Sequence, residues 1–127
     1  MHSLTVRLFD QFYLAVDGVP VATIQPGRQE AILAYLILHR ASPLPRRHLA
    51  FLFWPDSSEA QAHANLRQSL HFLRRSDPAV ADCLALAGRT VQWLPPGPWT
   101  ADVVEFDHCL AHAAAAVILP IFFWVQV

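Results

Sequence analysis

The chain has 127 residues, 54% hydrophobic and 15% charged, with a formal net charge of −1, ten prolines and four glycines. That is one domain's worth of sequence, long enough to bury a core and too apolar for a disordered chain. All nine basic residues are arginine, which reads first as compositional bias and only second as a preference for phosphate-clamping guanidinium groups. Cys83 and Cys109 stand far apart and outside any CxxC or CxxxH spacing, so neither a zinc site nor a disulfide framework is indicated and a reducing cytosol fits best. The first residues run straight into a strand pattern without a basic or long apolar leader, so no signal peptide is expected.

Leu4, Val6 and Leu8 alternate with Thr5 and Arg7, and Phe12, Leu14 and Val16 alternate with Tyr13 and Ala15, the period of half-buried strands. Asp17-Gly18 supplies a hairpin turn, and Val21 to Ile24 is expected as a third strand. From Arg28 the spacing of Ala31, Ile32, Tyr35, Leu36 and Leu38 becomes helical, ending before Pro43 and Pro45. A second helix is expected over Arg46 to Trp54, with Pro45 near its first turn and Pro55 stopping it. Asp56 with Glu59, or Ser58 with Gln61, offers a capping box for a third helix from about Glu59 to Arg75, broken at Asp77-Pro78. Leu84 to Ala87 and Thr90 to Leu94, joined by Gly88-Arg89, read as a β-hairpin, with the glycine suited to the tight loop. Pro95-Pro96-Gly97-Pro98 is stiff, and Asp102 with Glu105 opens a further helix whose apolar face starts at Val103, Phe106 and Leu110.

Charge is unevenly placed. Residues 28 to 75 carry seven arginines against three acids, and the rest carries two arginines against seven acids, so a polyanion would be met by the three-helix segment. Sheet, three helices and a terminal hairpin, in that order, make an α+β winged helix-turn-helix, a fold that offers its third helix to the DNA major groove. At about 100° per residue, Leu66, Leu70 and Leu73 line the inner side of that helix with Ala62 and Ser69. Gln61, Ala64, Gln68, His71 and Arg75 fall opposite, Asn65 on one flank and Arg67 and Arg74 on the other, with no carboxylate after Glu59. Amides bond adenine and guanidinium groups bond guanine in bidentate fashion, while a carboxylate would repel phosphate. Arg46 and Arg47 at the second helix's start suit the DNA backbone, as do Arg89 and Thr90 at the hairpin tip, and Arg28 stands at the start of the first helix. A merely solvated polar face is the competing explanation of the charge alone; the order of elements tilts it toward DNA.

Trp54-Pro-Asp56 followed by Ala62-His-Ala-Asn-Leu-Arg-Gln-Ser-Leu-His-Phe-Leu-Arg-Arg75 closely resembles the signature of transcriptional activators of the Streptomyces antibiotic regulatory protein (SARP) type, whose N-terminal module is an OmpR/PhoB-type winged helix. Asp17-Gly18, Ala34-Tyr-Leu-Ile-Leu-His39 and Thr100-Ala-Asp-Val-Val-Glu-Phe106 support the resemblance, which covers roughly residues 4 to 112. It implies a cytoplasmic regulator of double-stranded promoter DNA, bound as a dimer or as neighbouring protomers on direct repeats, that recruits RNA polymerase through a bacterial transcriptional activation domain of helical repeats. Two features depart from the pattern: Pro45-Arg46-Arg47-His48 stands where a serine cap and acids are common, and Gln29 replaces a common lysine, leaving one phosphate contact to Arg28.

The expected organisation is a DNA-binding winged helix over residues 1–94, a Pro-rich linker over 95–101, and the start of an activation domain over 102–127. After Ala111 the chain becomes an apolar run through Val127 without helical-repeat pattern. A truncated or frameshifted end is the preferred reading; a strand packed on the domain stays open, and a membrane anchor is disfavoured because Pro120 interrupts a run short of the ~20 residues a span needs. His108 and His112 share a helix face without HExxH or a third ligand, and no phosphate loop, nucleophile elbow or carboxylate pair occurs. No enzyme activity, cofactor or metal is therefore expected. The alternatives are a winged-helix module that docks a protein partner, or a fragment of a larger regulator without function of its own.

Overall fold

The computed structural model describes residues 2–24 and 26–113. The chain opens with β1 (Leu4–Arg7), β2 (Tyr13–Val16) and β3 (Val19–Pro20) in an antiparallel arrangement. Between β2 and β3, Asp17 and Gly18 both take positive φ, 51° and 82°, the two-residue turn whose twist matches that of the flanking strands. The turn pairs Val16 with Val19 and so sets the register; the third strand is Val19–Pro20 rather than Val21 to Ile24. Ile24 instead leaves the sheet and enters the core.

Three helices follow as the hydrophobic spacing indicates: α1 (Arg28–Leu38), α2 (Arg46–Phe53) and α3 (Glu59–Ser76). Between the first two lies a short strand, β4 (Leu44–Pro45), and after the third comes a helix that the spacing did not announce, α4 (Pro78–Cys83). Asp77-Pro78 does end α3, but it also starts α4. The Asp77 carboxylate accepts from the Ala79 N–H at 2.8 Å, and Pro78 occupies a first-turn position where no N–H is required.

The wing is β5 (Leu84–Leu86) and β6 (Thr90–Trp93), closed by the Ala87 N–H donating to the Thr90 carbonyl at 3.0 Å. Gly88 is not in the positive-φ region, so the loop does not rely on glycine as the sequence suggested. β4 pairs with β6, giving a three-stranded sheet in the order β4-β6-β5. A proline at the end of a two-residue edge strand is tolerated because it need donate nothing to the ladder.

The segment expected as a linker changes character at its end. Trp99–Ala101 is a strand, β7, that runs parallel to β1 and completes a four-stranded sheet in the order β3-β2-β1-β7. Helix α5 then starts at residue 102 and is described as far as residue 113. The Asp102 carboxylate reaches across to β1's end, accepting from the Leu8 N–H at 3.0 Å and the Phe9 N–H at 2.9 Å. Phe9 and Phe106 meet edge to face, their centroids 5.5 Å apart, and Arg40 bonds Asp107 at 3.3 Å while lying over Trp99. The start of α5 is thus fastened to the domain. The expectations for the apolar end lie on residues 114–127, outside the described residues.

One core holds these parts together. Ile32, Leu33, Leu36 and Ile37 of α1 meet Leu49 of α2, Leu66, Leu70 and Leu73 of α3, and Val91 and Trp93 of the wing. Burying a side chain of this size stabilises by roughly 1.5–3 kcal/mol, so helix α3 is held by packing along its inward stripe and its other side is left free. The architecture is an α+β winged helix.

Candidate nucleic-acid interface

Helix α3 has 18 residues, about 27 Å of unbroken helix. Of the two caps open in the sequence, Ser58 supplies the one observed, its Oγ accepting from the Gln61 N–H at 3.2 Å. Glu59 in the first turn and Arg74 and Arg75 in the last complement the helix dipole. Ala62, Leu66, Leu70 and Leu73 are buried, as the spacing requires. Gln61, Arg67, Gln68, His71, Arg74 and Arg75 are exposed, and Asn65 is half-buried. Gln61 Nε2 donates to Asn65 Oδ1 at 2.9 Å one turn on, which orients both amides.

A second group gathers at the start of α2. Pro45 cannot cap the helix through its side chain, and the wing substitutes: the Arg46 N–H donates to the Arg89 carbonyl at 2.9 Å, next to the Pro45–Thr90 strand pair. Arg46, Arg47, Arg89 and Thr90, distant in sequence, are therefore neighbours. Arg46 is half-buried, its Nε shielded from solvent with no hydrogen-bond partner among the described residues, whereas Arg47 and Arg89 are exposed. Arg47 Nε lies 3.8 Å from Glu59 Oε1, which joins this group to the first turn of α3.

Arg28 belongs to neither group by sequence, and the fold brings it to the flank of α3. Its guanidinium lies over the Trp54 ring, 5.0 Å from the centroid. Arg28, Trp54, Asn65, Gln68 and Phe72 line a cleft of about 400 Å³ between the α1 start and α3. Trp54 and Phe72 were not among the expected site residues. Trp54 is 9% exposed and belongs to the core, yet it also supports Arg28 at the cleft. Phe72 could have been found: the helical spacing sets it away from the leucine stripe, on the side of the polar residues.

Not every arginine of the basic segment is available to a ligand. Arg40 donates to the Ile37 carbonyl and to Asp107, and stacks on Trp99, all on the side of the domain that carries α5. The positive surplus of residues 28 to 75 is to that extent smaller than the sequence count. Among the described residues no group of three or more His, Cys, Asp or Glu side chains could hold a metal ion, and no helix is long and apolar enough to cross a membrane.

No family model matches the chain, and no curated protein matches it. Among solved structures, the chain is similar to EmbR of Mycobacterium tuberculosis in complex with a low affinity phosphopeptide, with 28% identity and a TM-score of 0.69. The match covers 91% of this chain and 32% of that one, so the chain spans about a third of the length of the EmbR structure. With the order of the elements, this likeness supports a SARP-like winged helix at the level of the family.

Proposed function

We propose that the chain is the DNA-binding part of a transcriptional regulator and reads a specific promoter sequence, with α3 in the major groove and the wing tip on the flanking backbone. The observation that carries this reading is the outward side of α3. It is an unbroken helix face of Gln61, Gln68, His71 and Arg75, free of carboxylates after Glu59, and the Arg47–Glu59 contact continues it into the basic start of α2. The division of labour follows from chemistry: Gln68, Arg75 and Asn65 face base edges, whereas Arg28, Arg46, Arg47, Arg67, Arg74, Arg89 and Thr90 meet phosphates. The likeness to EmbR supports a regulator in general. By the SARP resemblance, protomers sit side by side on direct repeats in the cytoplasm, and contact with RNA polymerase belongs to a helical-repeat activation domain whose pattern the residues after Ala111 do not show.

A mobility-shift titration against duplexes selected from a random pool tests it. Gln68→Ala and Arg75→Ala relax the preference for the selected sequence by about 1–3 kcal/mol per lost base contact, while leaving affinity for unrelated duplexes nearly unchanged. Equal affinity for every duplex, unaffected by these substitutions, refutes the proposal. A complex with a protein that is insensitive to salt favours the docking-module alternative.

A further inference from the structure

Phe72 is the large apolar side chain on the outer half of α3. It is 47% exposed and is not one of the buried core residues. An exposed apolar residue standing alone calls for no explanation; what sets Phe72 apart is its surroundings. On one side it lines the cleft with Arg28, Asn65 and Gln68, and on the other a smaller hollow of about 180 Å³ with Arg75 and Thr23. Neither lining contains a carboxylate. A ring flanked by guanidinium groups and amides is complementary to a polyanion that also presents an apolar group. In the major groove that group is the C5-methyl of thymine, the apolar contact offered by a base edge there.

We propose that Phe72 is a specificity-determining residue that packs on the C5-methyl of a thymine, so that one position of the bound sequence must be an A·T pair in a fixed orientation. This rests on the DNA-reading role of α3 given above. Gln68 and Arg75, one turn before and one turn after Phe72, hold the neighbouring base edges, and Arg28 holds the backbone beside the cleft.

The test uses the full chain and a duplex it selects from a random pool, with each thymine replaced in turn by deoxyuridine. That replacement removes a methyl group and leaves base pairing and every hydrogen-bonding group in place. At one position the wild-type chain loses about fourfold in affinity, the worth of one buried carbon of this kind. Phe72→Ala binds the thymine duplex correspondingly more weakly and no longer distinguishes thymine from uracil there, and Phe72→Leu retains part of the preference. Because Phe72 is about half exposed and not one of the buried core residues, Phe72→Ala keeps the fold, which circular dichroism checks, and Phe72→Leu serves as the second variant that preserves apolar packing. Equal wild-type binding of all thymine and uracil duplexes overturns the assignment, as does an undiminished thymine preference in Phe72→Ala. If a sequence is selected and Gln68→Ala relaxes it, such a result removes Phe72 alone; if no sequence is enriched, the DNA-reading role falls and Phe72's role with it.

Discussion

Arg47→Ala separates backbone contact from base reading. Two of the nine arginines have work elsewhere: Arg40 at the α5 junction, and Arg7 over Tyr13 on the first sheet. Seven remain near α3, α2 and the wing. If about five of them neutralise phosphates, log K falls with log salt at a slope of about −4.5, and affinity drops about 500-fold between about 50 and 200 mM salt. Deleting one phosphate contact makes the slope shallower by about 0.9. The gap in affinity between wild type and Arg47→Ala must therefore shrink about 3.5-fold over the same salt range. Stability should not move with it, because the Arg47 side chain is 84% exposed and its ion pair is with Glu59, 73% exposed and 3.8 Å away. A pair of that kind contributes about 0–1 kcal/mol. Fluorescence anisotropy at several salt concentrations, with the selected duplex and a scrambled one, measures both slopes. An unchanged slope, or a loss confined to the selected duplex, would show that Arg47 does not meet the backbone.

Three further outcomes follow from the packing. Burial pushes the Asp102 carboxyl up, but the N–H groups of Leu8, Phe9 and Val103 and its own outweigh it and hold it below the usual carboxylate range. Its support of the α5 junction is complete above the unfolded value of about 3.9 and fades as pH falls through the lower folded value; Asp102→Ala removes it at every pH, at about 1 kcal/mol, read as faster exchange of the Leu8 and Phe9 amides. Ser58→Ala removes the α3 cap and costs about 1 kcal/mol in chemical denaturation, with Ser58→Asp restoring it. Burial, helped by Asp82, pushes the Cys83 thiol up to about 11, whereas Cys109 is exposed. A thiol reagent near neutral pH should label Cys109 in the folded chain and reach Cys83 only on unfolding; rapid native labelling of both would contradict the packing of α4.

Local signals carried much of the architecture. The leucine spacing of α3, the Asp17-Gly18 turn and the Gly88-Arg89 loop position are properties of short windows, and periodicity in a window reports which side of an element is buried. The bounds of α1, α2 and α3 agree with that spacing to within a residue or so. What escaped were elements with too few residues for a period. Leu44–Pro45 and Trp99–Ala101 are strands only because β6 and β1 lie beside them, and α4 is a single short helix behind an Asp-Pro step that also reads as a stop.

The same division applies to the site. The amino-acid order by itself determined the composition of the α3 outer face, because helix geometry converts spacing into a side. Only the tertiary structure decided which distant groups stand next to that face: Arg28 over Trp54, Arg46 under the Arg89 carbonyl, Phe72 between two basic hollows, and Arg40 drawn away to α5. Charge can be counted along a chain, but its availability to a ligand depends on contacts between residues far apart in sequence. Those contacts exist only once the core has closed.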